Sequence, residues 1–600
     1  MQAIILAAGM GKRLKELTQN NTKCMVKVGD SRLIDRMLEQ LDKKNLSRIV
    51  VVTGYKGDQL KEYIDSLDIK TKVEYVHNPD YATTNNIYSL SLTEDYLVRE
   101  DTLLFESDII FEESVIDCLI DDERKTLALV DKYEPWMDGT CVRLDEYDRI
   151  TDFISGKNFD FKNTEGCYKT VNIYKFSEHF SKTHYVPFMR AYLKAMGENE
   201  YYEQVLRVIA VLDEAEICCK RLEGQKWYEI DDEQDLDIAE VIFAKDEDER
   251  LKKLSSRYGG YWRFTGLKDF CYLVNPYYPP QKLLDEMKAS FETLVTQYPS
   301  GMRVNSLLAA KTFGLREEMV VVGNGAAELI KALMERFDGS CGFVKPTFEE
   351  YPNRYNDAVI YDVSKQGFVY DADDVISFFD DKAIKNLVII NPDNPTGNYI
   401  SHAGILKLVN WTESKGIRFI VDESFVDFAD EKESSLFDRE YLSAHKLLYV
   451  MKSISKSFGV PGIRLGILTS GDLDMISSIK KDVAIWNINS FGEFYLQIAE
   501  KYKKQYAIGM EYFRQERKRF KTELEKIGGL SIFDSQANYF MIELTGGIKA
   551  HEICEKLLKR EILIKDLSSK MSNGEFIRIA IRDRDDNDEL IRALKESISV

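Results

Sequence analysis

Two α/β domains of different kinds are predicted for this chain, and three features of the sequence carry the prediction. Its 600 residues exceed what one hydrophobic core supports. Short apolar runs recur, each ending in glycine, asparagine or an acid: residues 2–8 run into Gly9, 102–105 into Glu106 and Asp108, 319–322 into Gly323, 387–390 into Asn391, and 419–421 into Asp422. Open α/β sheets build their sites at strand ends of this kind. Between the two sets, residues 245–253 form a mixed-charge run with little to bury, followed by Ser255, Ser256, Gly259 and Gly260. That stretch reads as a linker, either an exposed helical ending followed by a short turn or a flexible tether. The expected divisions are residues 1–243, a charged linker at 244–260, and 261–600. No internal repeat is visible, so the halves are different folds.

Composition narrows the class. With 44% hydrophobic and 30% charged residues the chain is an ordinary globular protein, and no apolar run approaches a membrane span. The apolar start is too short for a signal-peptide core. A net charge of −20, from 81 basic and 101 acidic residues, argues against nucleic acid as a partner but leaves small phosphates open. Nine cysteines occur without a C-x-x-C pair, and vicinal Cys218 and Cys219 fit neither a zinc knuckle nor a redox motif. Reduced thiols and a cytoplasmic setting are expected.

The first apolar run enters Gly9-Met10-Gly11-Lys12-Arg13-Leu14, a turn whose glycines let backbone N–H groups approach an anion. Lys12, Arg13 and Lys23 can oppose the charge of a triphosphate. The third glycine of a dinucleotide turn is missing. The run from Leu6 to Leu14, with Thr18 and Lys23, resembles the signature of sugar-nucleotidyltransferase-like enzymes, although Thr22 stands where that family carries proline. His77-Asn78-Pro79-Asp80-Tyr81-Ala82-Thr83-Thr84-Asn85-Asn86-Ile87-Tyr88-Ser89-Leu90 is similar to the bacterial CTP:phosphocholine cytidylyltransferases. The resemblance implies a Rossmann-like nucleotidyltransferase domain with CTP as substrate. It implies a nucleotide held by Leu6, Ala8, Gly9, Gly11, Lys12, Arg13, Lys23, Asn85 and Asn86, with Arg13 and Lys23 also acting on the transferred phosphate. Asp108, closing an apolar strand, is the candidate Mg²⁺ ligand. A second acid is expected from Tyr228-Glu229-Ile230-Asp231, with Asp231 preferred over Glu229. Trp136, Tyr201, Tyr202 and Glu203 are candidates for an acceptor pocket, because aromatic faces and a carboxylate suit an ammonium group.

In the second half, residues 451–468 set Lys456 among Ser453, Ser455, Gly459, Pro461, Gly462 and Arg464. A pyridoxal-phosphate (PLP) enzyme needs such a set: an amine for covalent attachment, phosphate ligands and a tight backbone. The segment resembles the lysine segment of fold-type I PLP aminotransferases, especially the branch of histidinol-phosphate aminotransferases and threonine-phosphate decarboxylases. The resemblance implies large and small subdomains, and assigns Lys456 to the cofactor aldehyde and Ser453 and Arg464 to its phosphate. Ala326 and Ala327 would add backbone amides at a helix start. Phe348 would stack on the ring, Asn394 of Asn391-Pro392-Asp393-Asn394-Pro395-Thr396-Gly397 would bond its phenolic oxygen, and Asp422 would pair with its nitrogen. Tyr298 would reach the phosphate of a neighbouring subunit, so a homodimer is implied. Asn538 and Arg578 would face substrate. Phe425 stands where many aminotransferases place tyrosine, as in some threonine-phosphate decarboxylases.

The pairing of the two halves resembles bacterial fusions of a phosphonate cytidylyltransferase with a 2-aminoethylphosphonate transaminase. That implies formation of 2-aminoethylphosphonate from phosphonoacetaldehyde, then CTP-dependent conversion to CMP-2-aminoethylphosphonate and pyrophosphate, in phosphonate or phosphonolipid biosynthesis. One alternative makes phosphocholine or another amino-alcohol phosphate the acceptor, beside an aminotransferase or PLP decarboxylase. Another is a regulatory protein that senses CTP, against which Gly9, Gly11, Arg13, Lys23 and Asp108 all argue.

Overall fold

The computed structural model describes residues 1–212, 217–571 and 573–598. The chain forms two compact units, Met1–Phe264 and Thr265–Val600. In the first, strands β1 (Gln2–Ala7), β2 (Ile49–Thr53), β3 (Val73–His77) and β4 (Thr102–Glu106) pair in parallel in the order β3-β2-β1-β4. Alternate residues of these strands feed different cores. Ala3, Ile5, Ile49 and Val51 pack on one face, while Ile4, Leu6, Val50 and Val52 pack on the other. A sheet buried on both sides needs continuous apolar strands, and the run at residues 2–8 is apolar for that reason. Chain order reverses between β1 and β4, so their carboxyl ends flank a crevice. The long strand β5 (Cys167–Phe176) extends the sheet antiparallel to β4.

Residues 247–257, expected within a linker, form an α-helix (Glu247–Arg257) of the first unit. Asp246 caps it by accepting from the Glu249 amide, and its Lys253 and Arg257 form ion pairs with Glu240 and Asp237. Charge alternation here serves a solvated helix face, one of the two forms expected for this stretch.

The second unit is built on a seven-stranded sheet: β6 (Val320–Asn324), β7 (Cys341–Lys345), β8 (Ala358–Asp362), β9 (Asn386–Ile390), β10 (Arg418–Asp422), β11 (Leu448–Ser453) and β12 (Leu465–Ser470), in the order β6-β12-β11-β10-β9-β7-β8. Only β12 runs antiparallel to its neighbours. Period-two alternation again splits the strands between two cores, with Leu387, Ile389, Phe419 and Val421 on one face and Val388, Ile390, Ile420 and Met451 on the other. A smaller sheet contains β13 (Tyr539–Leu544), β14 (Lys565–Asp566) and β15 (Glu575–Ala580).

Backbone crowding is greatest just beyond Lys456. At Gly459, φ is +64°, and a Cβ would stand 1.8 Å from the Tyr278 carbonyl oxygen. Gly459→Ala should therefore destabilise the second unit by more than about 2 kcal/mol. Denaturant unfolding should show its transition moved to lower concentration while that of the first unit stays in place.

Candidate functional sites

In the first unit, Gly11 has φ +60°, and a Cβ there would lie 2.9 Å from Thr18 Cγ2 and 3.2 Å from Lys23 Cβ. The Thr18 hydroxyl donates to the Gly11 carbonyl at 2.8 Å. This closed turn brings Lys23 to the crevice beside β4. Lys23 Nζ lies 2.5 Å from Asp108 Oδ2 and 2.7 Å from Asp231 Oδ1, and Arg13 reaches the same Asp231 oxygen at 2.7 Å. The two aspartates meet because the strand Ile109–Phe111 pairs with Trp227–Glu229, and the Ile230 amide donates to the Asp108 carbonyl at 2.9 Å. Burial opposes charge on Lys23, but Asp108 and Asp231 outweigh it and hold the amine above the ordinary lysine range. For Asp231 burial is likewise outweighed, here by Lys23 and then Arg13, so its carboxyl stays low.

Asp108, Glu229 and Asp231 each offer a carboxylate oxygen within 4.8 Å of the others, and Asp108 Oδ1 is buried without a hydrogen-bond partner. These hard, convergent oxygens fit a divalent cation. Glu229 is therefore as well placed as the preferred Asp231. Residues two apart on an extended segment share a face, which was the available signal for the pair. Asn172 and the buried Lys169 hold Glu229 at 3.1 and 3.2 Å. Leu6 and Ala8 are buried, whereas Gly9, Lys12 and Arg13 are exposed around the turn.

Asn85 caps the helix Asn86–Ser91, accepting from the Asn86 amide at 2.8 Å. Asn86 donates to Glu106 at 2.9 Å and accepts from the Tyr202 amide at 2.9 Å, tying β4 to the candidate acceptor region. Glu203 is 5% exposed, its Oε2 has no hydrogen-bond partner, and burial pushes its carboxyl up to about 7. The Tyr202 ring is buried against Tyr174, while Tyr201 is exposed. Trp136 stacks on Tyr228 at 4.9 Å, leaving its Nε1 buried and unpartnered.

In the second unit the candidate residues converge at strand ends. Asp422 closes β10, accepting from the Tyr351 hydroxyl at 2.9 Å and the Ser424 amide at 2.8 Å. Tyr351 had no signal in the sequence, because its partner lies 71 positions away. Burial raises the Asp422 carboxyl, while Ser424, Tyr351 and the nearby Lys456 oppose that rise. Lys456 lies just beyond β11, and its amine makes no hydrogen bond or ion pair among the described residues. Burial, with Arg578 and Arg464 nearby, lowers it from the ordinary 10.5 to about 8. Asn394 Oδ1 accepts from Arg578 Nη1 at 2.6 Å, and Arg578 Nη2 donates to the Cys271 carbonyl at 2.9 Å.

At the helix α1 (Ala326–Met334), a Cβ on Gly466 would stand 2.4 Å from the Ala326 nitrogen, and one on Gly325 would stand 2.5 Å from Arg464 Nη2. Glycine at both positions lets β12 and the Arg464 guanidinium press against the first turn, whose amides have no intrahelical acceptors. Ser453 is buried at the end of β11, its amide donating to Ser424 Oγ at 3.0 Å. Asn538 is fully buried with both amide atoms unpartnered, as are Ser455 Oγ and Arg578 Nε. Such orphaned groups, a free amine, a buried acid and a cationic helix start fit pyridoxal phosphate. Phe348 is 39% exposed and Tyr298 80%, the latter stacked on Trp486 at 4.5 Å, so neither is enclosed within this site.

Comparison with known proteins places both halves. Residues 287–594, just over half of the chain, match the family described as aminotransferase class I and II. The chain belongs to the aminotransferase class I and II family. Residues 2–154 match the nucleotidyl transferase family. The protein is thus an enzyme with an N-terminal nucleotidyltransferase domain and a C-terminal, PLP-dependent aminotransferase-like domain of fold type I. CMP-5'-(3-aminopropyl)phosphonate synthase of Streptomyces rubellomurinus is 28% identical over 607 residues, spanning 100% of this chain and 95% of that protein. L-serine phosphate decarboxylase of Sulfurospirillum multivorans is 31% identical over 54% of this chain and 87% of its own length. A solved decarboxylase structure from Sulfurospirillum multivorans superposes with a TM-score of 0.52 at 30% identity, covering 56% of this chain and 90% of that one. Among the described residues no helix is long and apolar enough to cross a membrane.

Two measurements probe these sites separately. Asp108→Ala should lower divalent-cation-dependent pyrophosphate release from the nucleoside triphosphate substrate by roughly 100-fold or more, because the lost charge acts on the transition state. In the cofactor-free aminotransferase-family domain of the intact chain, labelling of Lys456 by a small amine-reactive reagent should rise with pH through a midpoint at about 8. The sign follows from the neutral amine being the nucleophile; a midpoint near 10.5 would contradict the environment described.

Proposed function

We propose that the two domains catalyse consecutive reactions: the second makes a short primary amine ending in a phospho group, and the first joins that group to CMP. The observation that carries this reading is the likeness, along the whole chain, to a CMP-aminopropylphosphonate synthase. An amine of this kind is both a natural product of PLP chemistry and a match for the phosphocholine-like segment at residues 77–90.

For the amine-forming step we favour decarboxylation of an amino acid that carries the phospho group, O-phospho-L-serine or its phosphono counterpart. The likeness to L-serine phosphate decarboxylase supports it, while Phe425, buried edge-on against Tyr539 at 5.2 Å where many aminotransferases carry tyrosine, is compatible with either reaction. Transamination of phosphonoacetaldehyde, the expectation from sequence, remains the second reading, supported by the aminotransferase family match. When bound, pyridoxal phosphate supplies an electron sink for the bond broken at the substrate Cα. Lys456 would hold the cofactor, with Asp422 at its ring nitrogen, and Ser453, Arg464 and the Ala326 and Ala327 amides at its phosphate. Asn394 would meet the phenolic oxygen, Phe348 the ring face, and Arg578 and Asn538 the anionic ends of the substrate. As CO₂ leaves, the protonated Lys456 Nζ would deliver a proton to Cα in the place of the lost carboxylate. Exposed Tyr298 is where a second copy would complete the site, and a homodimer belongs to this proposal.

In the first domain an acceptor phospho oxygen would attack the α-phosphorus of CTP and expel pyrophosphate. Arg13 and Lys23 would oppose the charge on the leaving group, with Leu6, Ala8, Gly9, Gly11, Lys12, Asn85 and Asn86 around the nucleotide. Asp108 and Asp231, joined by Glu229, would hold Mg²⁺, which supplies charge compensation at the phosphates. The unpartnered Glu203 oxygen and the Trp136 ring suit an ammonium that can donate hydrogen bonds, which a quaternary ammonium cannot.

With CTP and Mg²⁺, ethanolamine phosphate and 2-aminoethylphosphonate should each exceed phosphocholine in kcat/KM by about tenfold or more. O-Phospho-L-serine or its phosphono counterpart should yield CO₂ and amine in equal amounts, and then a CMP adduct visible by mass. Amine formed only when an aldehyde and an amino-acid donor are supplied together would establish transamination instead. Preference for phosphocholine would hand the first domain to the choline reading.

A further inference from the structure

Among the described residues the Lys456 side chain has no partner, so its position depends on how its backbone is held. Two clamps hold it. From one side, the Asn275 amide donates to the Lys456 carbonyl at 3.0 Å, and Asn275 Nδ2 donates to the Ser457 carbonyl at 2.8 Å. From the other, Asp427 spends both oxygens: Oδ1 accepts from Lys452 Nζ at 2.6 Å, while Oδ2 accepts from Ser457 Oγ at 2.6 Å and Tyr506 Oη at 2.9 Å. Tyr506 also stacks on Phe458 at 4.4 Å with 10° between the rings. Asn275, Lys452 and Ser457 are 2%, 3% and 0% exposed. Burial opposes charge on Asp427, but Lys452 and its hydrogen bonds outweigh that and hold it low. None of these groups has a role in the chemistry proposed above.

We propose that Asn275 and Asp427 are positioning residues for Lys456, fixing the turn from Lys456 to Gly459 and thereby where Lys456 Nζ stands relative to Asp422, Arg464 and Arg578. The Lys452–Asp427 ion pair keeps one carboxylate in a single orientation, and Ser457, the residue next to the lysine, reads that orientation. A carboxylate left without Lys452 would be free to turn away. This inference rests on the reading that Lys456 carries the cofactor.

Ser457→Ala removes one buried hydroxyl and leaves the Lys452–Asp427 pair intact, so it isolates the link. In the cofactor-free intact chain, the midpoint for labelling Lys456 should move from about 8 upward by about one pH unit as the amine escapes its burial and the neighbouring guanidinium groups. In the loaded enzyme, the pH titration of the cofactor's visible absorbance should shift too, and kcat for amine formation should fall about tenfold or more with KM little changed. Ser457→Thr should restore all three, and Asn275→Ala should repeat the defect. Should Asn275→Ala fail to fold, Ser457→Ala and its threonine rescue decide the matter. A folded Ser457→Ala protein with wild-type labelling midpoint, absorbance titration and kcat would overturn the positioning role alone. A wild-type protein with no cofactor absorbance lost in Lys456→Ala would overturn the cofactor reading, and this inference with it.

Discussion

The second domain is organised by the requirement that one lysine amine remain unpaired inside a protein. Buried cations are ordinarily paired or neutral, and this chain contains paired ones. Lys23 and Lys452 each face carboxylates at 2.5–2.7 Å, and for Lys23 the pairing raises proton affinity despite burial. Lys456 is instead held down by burial and then by its guanidinium neighbours, against which Asp422 acts. The difference suits different tasks. A lysine that opposes phosphate charge must stay protonated, whereas one that attacks an aldehyde must be able to lose its proton near neutral pH.

Both domains solve the placement of such groups with the same device. Parallel strands buried on two faces are held in register by alternation between cores, since a slip by one residue would exchange the faces. Their ends are then fixed points at which single residues can be set: Asp108 beyond β4, Asp422 at the end of β10, Lys456 beyond β11. The first domain adds a second device, the pairing of two short strands, to bring Asp231 from far along the chain to Asp108.

This explains what could be read from sequence alone. Strand ends with unusual residues are local patterns, and the glycine turn, the Asn391–Gly397 segment and the lysine segment were visible as such. Fold class followed from the same pattern. Partners brought together by the fold were not visible: Tyr351 beneath Asp422, Asn86 between Glu106 and the Tyr202 amide, Asn275 against Ser457. Nothing in an isolated tyrosine or asparagine marks its partner across such distances. The charged run at 247–257 left two forms open, because a solvated helix face and a tether share a composition, and here it is helical. Glu229 was within reach of two-residue periodicity, yet its holding groups, Lys169 and Asn172, lie on β5 more than fifty positions earlier.

The reversal of β12 has a mechanical corollary. Because β11 leads into β12 by a hairpin rather than a crossover, the amine of Lys456 and the guanidinium of Arg464 are carried on one short loop anchored at both ends to adjacent strands. Loop length sets the outer limit of their separation, and the hydrogen bonds with Asn275 and Asp427 fix it within that limit. Side chains along this loop can vary where they face outward, but a single inserted or deleted residue would change the span between the proposed attachment point and the proposed anion grip. Tolerance to substitution and intolerance to length change should therefore coexist within the same few residues.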